Sequence, residues 1–407
     1  MTVTPKTAPL PAPVASLFSV KDREFLLALR RDLHQTPELS WQEHATQRRL
    51  HRALTELGAT NIREIARTGL VAIIPGQNKR VGGAAVAVRG DIDALPIQEA
   101  TGLPFSSGTA GVMHACGHDM HATWAVGAAM LLARNPAVGE VRILLQPAEE
   151  VGEGALAVLD SRALDGVAAI FAAHVDWRFS VGEVVAVPGP LAASTDTFDI
   201  TFHGRGGHGA RPHDTRDPVV GLGAFIGDVQ TIVSRRLDPA LPGVISVGVV
   251  NAGFAPNVIP ETAQCSGTVR ATTPQSRALL LEELERLAHA VAAAHRLTAT
   301  FALREGTPPL INTAAGAAWA QHAARALLGD QALRTLASAN MGGEDFAFYL
   351  EKMDGCFMRI GTWREGRSTS GVHTPRFDPD EDALFVGSAL LAECARRASA
   401  ALASTPN

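Results

Sequence analysis

The chain has little cysteine: four residues in 407, at Cys116, Cys265, Cys356 and Cys394. They are scattered and form no Cys-X-X-Cys pair, so neither a disulfide framework nor a structural zinc knuckle is expected. Basic charge is not in excess. The formal net charge of −5 gives nucleic acid no electrostatic footing. No apolar run approaches the ~18 residues that argue for a membrane span. The Pro- and Ala-rich N-terminus lacks the charged segment and continuous apolar run of a secretory signal. No internal repeat is present, and no low-complexity segment beyond that N-terminus. These absences leave a cytoplasmic protein with a loose first ~15 residues as the expectation.

What the chain does have is size. At 407 residues it exceeds one ordinary core, so two domains are expected. Hydrophobic residues at 46% and charged residues at 19% are ordinary globular values. Apolar spacing predicts helices over 22–33 and 42–57, the second stopping at Gly58. Short apolar runs at 70–74, 84–88, 141–145 and 167–173 read as buried strands, with a helix over 121–133 between the second and third. Strands alternating with helices argue for a mostly parallel α/β sheet. After Pro188-Gly189-Pro190 the pattern changes. A strand at 197–202 precedes a helix at 217–236, with Asp217 as its N-cap and Pro218 at its first position. Strands at 244–250 and 263–270, a helix at 274–295 and a strand at 297–303 complete the order β-α-β-β-α-β, the ferredoxin-like split βαβ arrangement. The expected organisation is a flexible N-terminus 1–20, a first domain from 21–190 and 307–407, and an inserted domain 191–306. Helices and a short strand, 356–360, follow the insertion.

The densest chemistry is His114-Ala-Cys-Gly-His-Asp119, with His121 just beyond. Glycine at 117 lets the backbone turn so that Cys116 and His118 face one point. Thiolate and imidazole are ordinary ligands for zinc and its neighbours. The plainer reading is a polar loop capping the next helix through Asp119, and the density of the cluster weighs against it. Gln146-Pro-Ala-Glu-Glu150 follows the strand 141–145, at the sheet end where open α/β folds bind ligands. Two adjacent carboxylates on an irregular turn point apart, so one can ligate a metal while the other acts as a general base. The alternative is a solvated acidic loop.

His174 follows the strand 167–173. Asp91, in Arg89-Gly-Asp-Ile-Asp-Ala-Leu-Pro96, follows the strand 84–88, where a carboxylate can orient a ligand histidine. His373 lies in a Gly/Pro-bounded loop, Ser-Gly-Val-His-Thr-Pro. Each is weak singly, but Asp91, Glu149, Glu150 and His174 converge at the ends of three strands, which core packing does not explain. In the insertion, His203-Gly-Arg-Gly-Gly-His-Gly-Ala-Arg-Pro-His213 lacks the Gly-Lys-Ser/Thr of a phosphate-binding turn. It suits a loop presenting His208 to a substrate. Asn257, and Arg270 at the end of its strand, could each bind a carboxylate, Arg bidentately; alone, each reads as a turn or surface residue.

Taken in order, RGDIDALP, HACGHDMH, QPAEE, AAHV, GRGGHGARPH, APNVIP, GGEDF and GVHTP resemble the dinuclear metallopeptidase and aminoacylase superfamily. They look closest to the branch holding hippurate hydrolase, auxin-conjugate hydrolases and N-acetyldiaminopimelate deacetylase. The resemblance implies hydrolysis of the amide bond of an N-acyl amino acid by water activated at two divalent ions: zinc, manganese, cobalt or nickel. It implies Cys116, His118, Glu150, His174 and His373 as ligands, with Cys116 bridging. Glu149 would be the general base and Asp91 would steady the site. His208 would reach a partner's site across an interface carried by the inserted lid, in a homodimer or tetramer. Asn257 and Arg270 match positions that hold substrate. Gly90 departs mildly from the branch, which usually has Ala there, and Tyr349 reads as packing only. The rivals are a dipeptidase or an N-carbamoyl-amino-acid hydrolase on the same scaffold, an amidase using Cys116 as nucleophile, and a non-catalytic binding module.

Overall fold

The computed structural model describes residues 10–77, 85–366 and 369–404. The chain divides into two compact units. The first comprises Met1–Gly189, Asn312–Ala337 and Phe348–Asn407. Its sheet has eight strands, in the spatial order Thr60–Ile65, Gly69–Ile74, Val141–Gln146, Ala85–Asp91, Val167–Ser180, Asp354–Trp363, Val184–Val185, Leu333–Arg334. The middle four pair in parallel, and the antiparallel pairs lie towards the two edges. The central strands are buried along almost their whole length. That is why they read as continuous apolar runs rather than alternating ones.

The helices bury equally plain faces. Val20–Gln35 opens with a capping box: Ser19 accepts from the Asp22 amide, and Asp22 accepts from the Ser19 amide. Its inward residues Leu26, Leu29 and Leu33 join a core shared with the helices His118–Arg134 and Ala383–Ser404. Trp124, fully buried, donates its indole N–H to the Ala383 carbonyl at 2.9 Å. Burial without that partner would leave a polar group unsatisfied.

Several elements run longer than their sequence signal. The strand expected over 167–173 continues to Ser180, so His174 lies within it rather than after it. Asp91 is likewise the last residue of Ala85–Asp91. Both overruns carry polar side chains that apolar counting treats as a stop. The helix expected from 121 begins at His118, and its N-cap is Gly117 at φ 86° with no side-chain cap. Asp119 does not cap this helix, because its carboxylate faces His34 and Arg30. Residue 84, the first of the expected strand 84–88, lies outside the described residues.

The second unit comprises Pro190–Ile311 and Ser338–Ala347. Its four-stranded sheet has the order Gly243–Ala252, Thr262–Ala271, Asp196–His203, Thr298–Arg304, with every neighbouring pair antiparallel. Pro218–Asp228 and Pro274–Ala294 pack their apolar faces into its separate core. Asp217 caps the first of these helices through the Val219 amide. The helix expected over 217–236 is broken at Val229 into Pro218–Asp228 and Gln230–Arg235. The segment Ser338–Ala347 was expected in the first domain. It clusters with the second unit, where the Ala193 amide donates to the carbonyls of Asn340 and Gly342. Among the described residues no helix is long and apolar enough to cross a membrane.

Candidate metal centre

Four loops and strand ends of the first unit bring the expected ligands together. Gly117, in the left-handed region, makes the turn between Cys116 and His118; a Cβ there would meet the Val175 side chain at 2.7 Å. Cys116 Sγ lies 3.2 Å from His174 Nε2 and 3.3 Å from His373 Nε2. His373 Nε2 lies 3.7 Å from Glu150 Oε2, and His118 Nε2 is 3.7 Å from Glu150 Oε1. Candidate ligand atoms of Cys116, His118 and His174 fall within 4.8 Å of one another, as do those of Cys116, Glu150 and His373, and those of His118, Glu149 and Glu150.

Two of the three imidazoles are oriented from behind by hydrogen bonds on Nδ1, those of His118 and His174. His118 donates Nδ1–H to the Asp93 carbonyl at 2.9 Å, with Asp93 Oδ1 at 3.2 Å. His174 donates Nδ1–H to the Val175 carbonyl at 2.7 Å. Both bonds leave Nε2 as the free donor atom for a metal, the usual arrangement of a ligating histidine. The His373 side chain is 53% exposed, so this edge of the site is open. Its backbone amide is tied to the Ala115 carbonyl at 2.8 Å.

Asp91 orients a histidine that is not among the expected ligands. Its Oδ1 accepts Nδ1–H of His121 at 2.7 Å, and its Oδ2 pairs with Arg89. His121 in turn accepts the Val175 amide on Nε2 at 3.0 Å. Both its nitrogens are therefore occupied, and it braces the strand that carries His174. The carboxylate behind His118 is Asp93, two residues on. Spacing alone does not choose between these two carboxylates of one motif, since both lie where the chain leaves the strand.

The electrostatics favour positive charge at the centre. His118 Nε2 has Asp91 Oδ2 at 3.8 Å, Glu149 Oε2 at 3.9 Å and Glu150 Oε1 at 3.7 Å. Burial alone would lower the His118 pKa, but Asp91 and Cys116 outweigh it and hold it well above the ordinary value. Burial pushes the Glu150 carboxyl up to about 7 and the Cys116 thiol well above its usual range. Burial also pushes His174 well below the ordinary imidazole value, helped by Arg359. Two buried atoms, His118 Nε2 and Glu150 Oε1, have no hydrogen-bond partner. Buried polar atoms are almost always satisfied, so a cation between them fits this donor set of the Glu150 carboxylate, three imidazoles and a cysteine sulfur, with Glu149 beside it.

The other three expected residues lie in the second unit. His208, in the short strand Gly207–His208, pairs with Val258 of Val258–Ile259, which places it beside Asn257. The Gly209 amide donates to the Asn257 carbonyl at 2.8 Å, and the Ala210 amide donates to His208 Nδ1 at 3.0 Å. The Gly-rich loop is anchored near the start of Thr262–Ala271 by the Gly204 amide, which donates to the Glu261 carbonyl at 2.8 Å. Arg270 stands near the other end of that strand, roughly 25 Å away at ~3.3 Å per residue. Within one chain, His208 and Arg270 therefore do not meet.

A family model described as peptidase family M20/M25/M40 matches residues 87–397. N-acetylcysteine deacetylase of Bacillus subtilis (strain 168) is 41% identical over 374 residues, covering 91% of this chain and 96% of that protein. N-acetyldiaminopimelate deacetylase of Listeria innocua is 35% identical over 364 residues, covering 88% and 95%. A solved structure from Bacillus subtilis, described as a dinuclear metal binding peptidase from the M20 family, superposes with a TM-score of 0.82 at 37% identity, covering 94% of this chain and 99% of that one.

Proposed function

Since the chain belongs to the peptidase family M20/M25/M40, we propose that it hydrolyses the amide bond of N-acyl amino acids, using two divalent ions held by Cys116, His118, Glu150, His174 and His373. The observation that carries this reading is the pair of buried, unpartnered atoms, His118 Nε2 and Glu150 Oε1, with the Asp91 and Glu149 carboxylates beside them. Zinc, manganese, cobalt and nickel all accept such a donor set. Bound ions would lower the pKa of a water towards neutrality and polarise the scissile carbonyl.

The chain's own residues supply the remaining steps. Glu149, 11% exposed beside Glu150, takes the proton of the attacking water and returns it to the leaving amine. Asp91 holds His121 and, with Asp93, fixes the imidazoles behind the centre. His208 of a second chain stabilises the oxyanion, while Asn257 and Arg270 hold the substrate. The second unit is then an inserted ferredoxin-like lid that also makes the dimer. Its strand Gly243–Ala252 is the edge of the sheet and carries exposed Val244, Val249 and Val250, with Phe254 87% exposed just after it. A long apolar edge strand is a ready template for pairing with a second copy. A Cys116 nucleophile is disfavoured because a thiol engaged as a metal ligand is shielded from attack on a substrate. All four cysteines are buried and free, which suits a reducing cytoplasm.

The relatives named above deacetylate amino acids, so acetylated amino acids are the first substrates to try. Metal-loaded protein should be profiled on acetyl-, benzoyl-, indoleacetyl- and carbamoyl-amino acids beside dipeptides. Turnover of N-acyl amino acids in preference to dipeptides is expected. Turnover of dipeptides alone, or of nothing with any of the four metals, overturns the reading.

A further inference from the structure

The turn after Val141–Gln146 has an uncommon task. It must send two adjacent carboxylates, Glu149 and Glu150, in different directions. Its backbone is strained: Ala148 has φ 51°, a region that a residue with a Cβ seldom adopts. Something must hold it there.

The segment Ser40–Glu43 reaches this turn and the residues just beyond it by two direct hydrogen bonds and by one acceptor, Asp93, that it shares. The Ala148 amide donates to Glu43 Oε1 at 2.9 Å. The Trp41 indole N–H donates to Glu153 Oε2 at 3.0 Å, beyond the pair. The Glu150 amide donates to Asp93 Oδ2 at 3.0 Å, an oxygen that also accepts the Ser40 hydroxyl at 2.7 Å. Main-chain anchors thus stand immediately on either side of Glu149, one on residue 148 and one on residue 150. Asp93 also serves the ligand His118. Glu43 does not: its other oxygen accepts the Thr68 hydroxyl at 2.6 Å, and its own backbone is the N-cap of His44–Glu56. It is fully buried, an expensive place for a carboxylate that only supports a turn.

We propose that Glu43 is a positioning residue for the hydrolytic reaction, holding the strained Ala148 peptide so that Glu149 points at the attacking water while Glu150 points at the metal. The proposal rests on the reading of Glu149 as general base. Misplacement by about 1 Å can cost ~10²-fold in rate, so Glu43→Ala should lower kcat by ~10–100-fold. It should leave metal content and KM close to wild type. Glu43→Gln keeps an acceptor for the Ala148 amide and should behave almost as wild type. Glycine takes positive φ without a Cβ penalty, so Glu43→Ala with Ala148→Gly should recover most of the lost kcat.

The experiment is metal counting and steady-state kinetics on these three variants beside Glu149→Gln. The proposal is overturned if Glu43→Ala keeps its kcat, if it loses metal in proportion to kcat, if Glu43→Gln is as damaged as Glu43→Ala, or if Ala148→Gly restores nothing. Should Glu43→Ala not fold, Thr68→Val decides. It removes one support of Glu43, and a kcat lowered several-fold with metal intact is expected, whereas an unchanged kcat overturns the proposal. Full activity in Glu149→Gln would remove the base reading itself. An inactive Glu149→Gln beside a fully active Glu43→Ala would remove only the role of Glu43.

Discussion

Nε2 of His118 and Oε1 of Glu150 lie 3.7 Å apart, both buried and both without a hydrogen-bond partner. With Nδ1–H of His118 committed to Asp93, the facing atoms can serve as two metal donors, as the proposed reaction requires. About two divalent ions per chain should therefore be found by elemental analysis, with activity lost on chelation and restored by Mn²⁺, Co²⁺ or Zn²⁺. At metal concentrations near 100 times Kd, binding should add ~2.7 kcal/mol to stability, so Tm should rise when metal is returned. A coordinated thiol is deprotonated and shielded, so Cys116 should resist iodoacetamide until metal is removed. Full activity in metal-free protein, or equal labelling of Cys116 with and without metal, would contradict the site.

Asp22 offers a test of stability far from that centre. Its carboxylate receives a bidentate grip from Arg134 and accepts the Ser19 amide. The hydrogen bond from Arg134 is the main cause that lowers its pKa from 3.8 to about 2, against a smaller opposing effect of burial. A depressed folded-state pKa means stabilisation that is present above the unfolded value and lost as pH falls through about 4 towards about 2. Arg134 is half exposed, so the contribution is modest, of order 1 kcal/mol. Arg134→Met should lower Tm near neutral pH, and the gap to wild type should close as the pH is taken below about 3. A gap that persists unchanged at the lowest pH would mean that the loss is packing of the arginine stem, not charge.

The clustering of Cys116, His118, Glu150, His174 and His373 was legible because these donor residues stand in short polar motifs between apolar runs. The sheet was legible for a related reason: strands such as Gly69–Ile74 are buried along their length and read as unbroken apolar runs. Two things were not. Strand ends ran past the apolar signal, because His174, Asp176 and Asp91 stay in register with their neighbours while making polar contacts. The work of Glu43 and Asp93 was hidden as well, because a carboxylate that holds a main-chain amide 105 residues away leaves no local spacing to read.

His208 sits beside Asn257 on a Gly-rich loop, at the opposite end of the second unit's sheet from Arg270. If His208 serves a partner's centre, His208→Ala should fold, bind metal and dimerise, yet turn over slowly. Mixed with Glu149→Ala chains it should regain activity, because one site of each heterodimer then has both residues. Activity should approach half that of wild type per heterodimer. No recovery in confirmed heterodimers would assign His208 to its own chain or outside the chemistry.

Glu149 and Glu150 carry the sharpest prediction, since they are neighbouring carboxylates to which the proposed reaction gives different work. Glu150 faces His118 and His373 at 3.7 Å each, so Glu150→Gln should weaken metal binding and lose activity through lost occupancy. Glu149, with Oε2 3.9 Å from His118 Nε2, is the proposed base rather than a ligand, so Glu149→Gln should keep its metal. Glutamine is nearly isosteric with glutamate but cannot take the water's proton. General base catalysis contributes ~10²–10⁴-fold, so kcat should fall by at least that much. KM should change little, because the amide substrate is held by other groups. Metal counting on both variants, paired with kcat, separates the roles. Loss of metal from Glu149→Gln with retention in Glu150→Gln would reverse the assignment. Retention of metal and activity in both would make this turn a solvated acidic loop, and the base would have to be sought elsewhere.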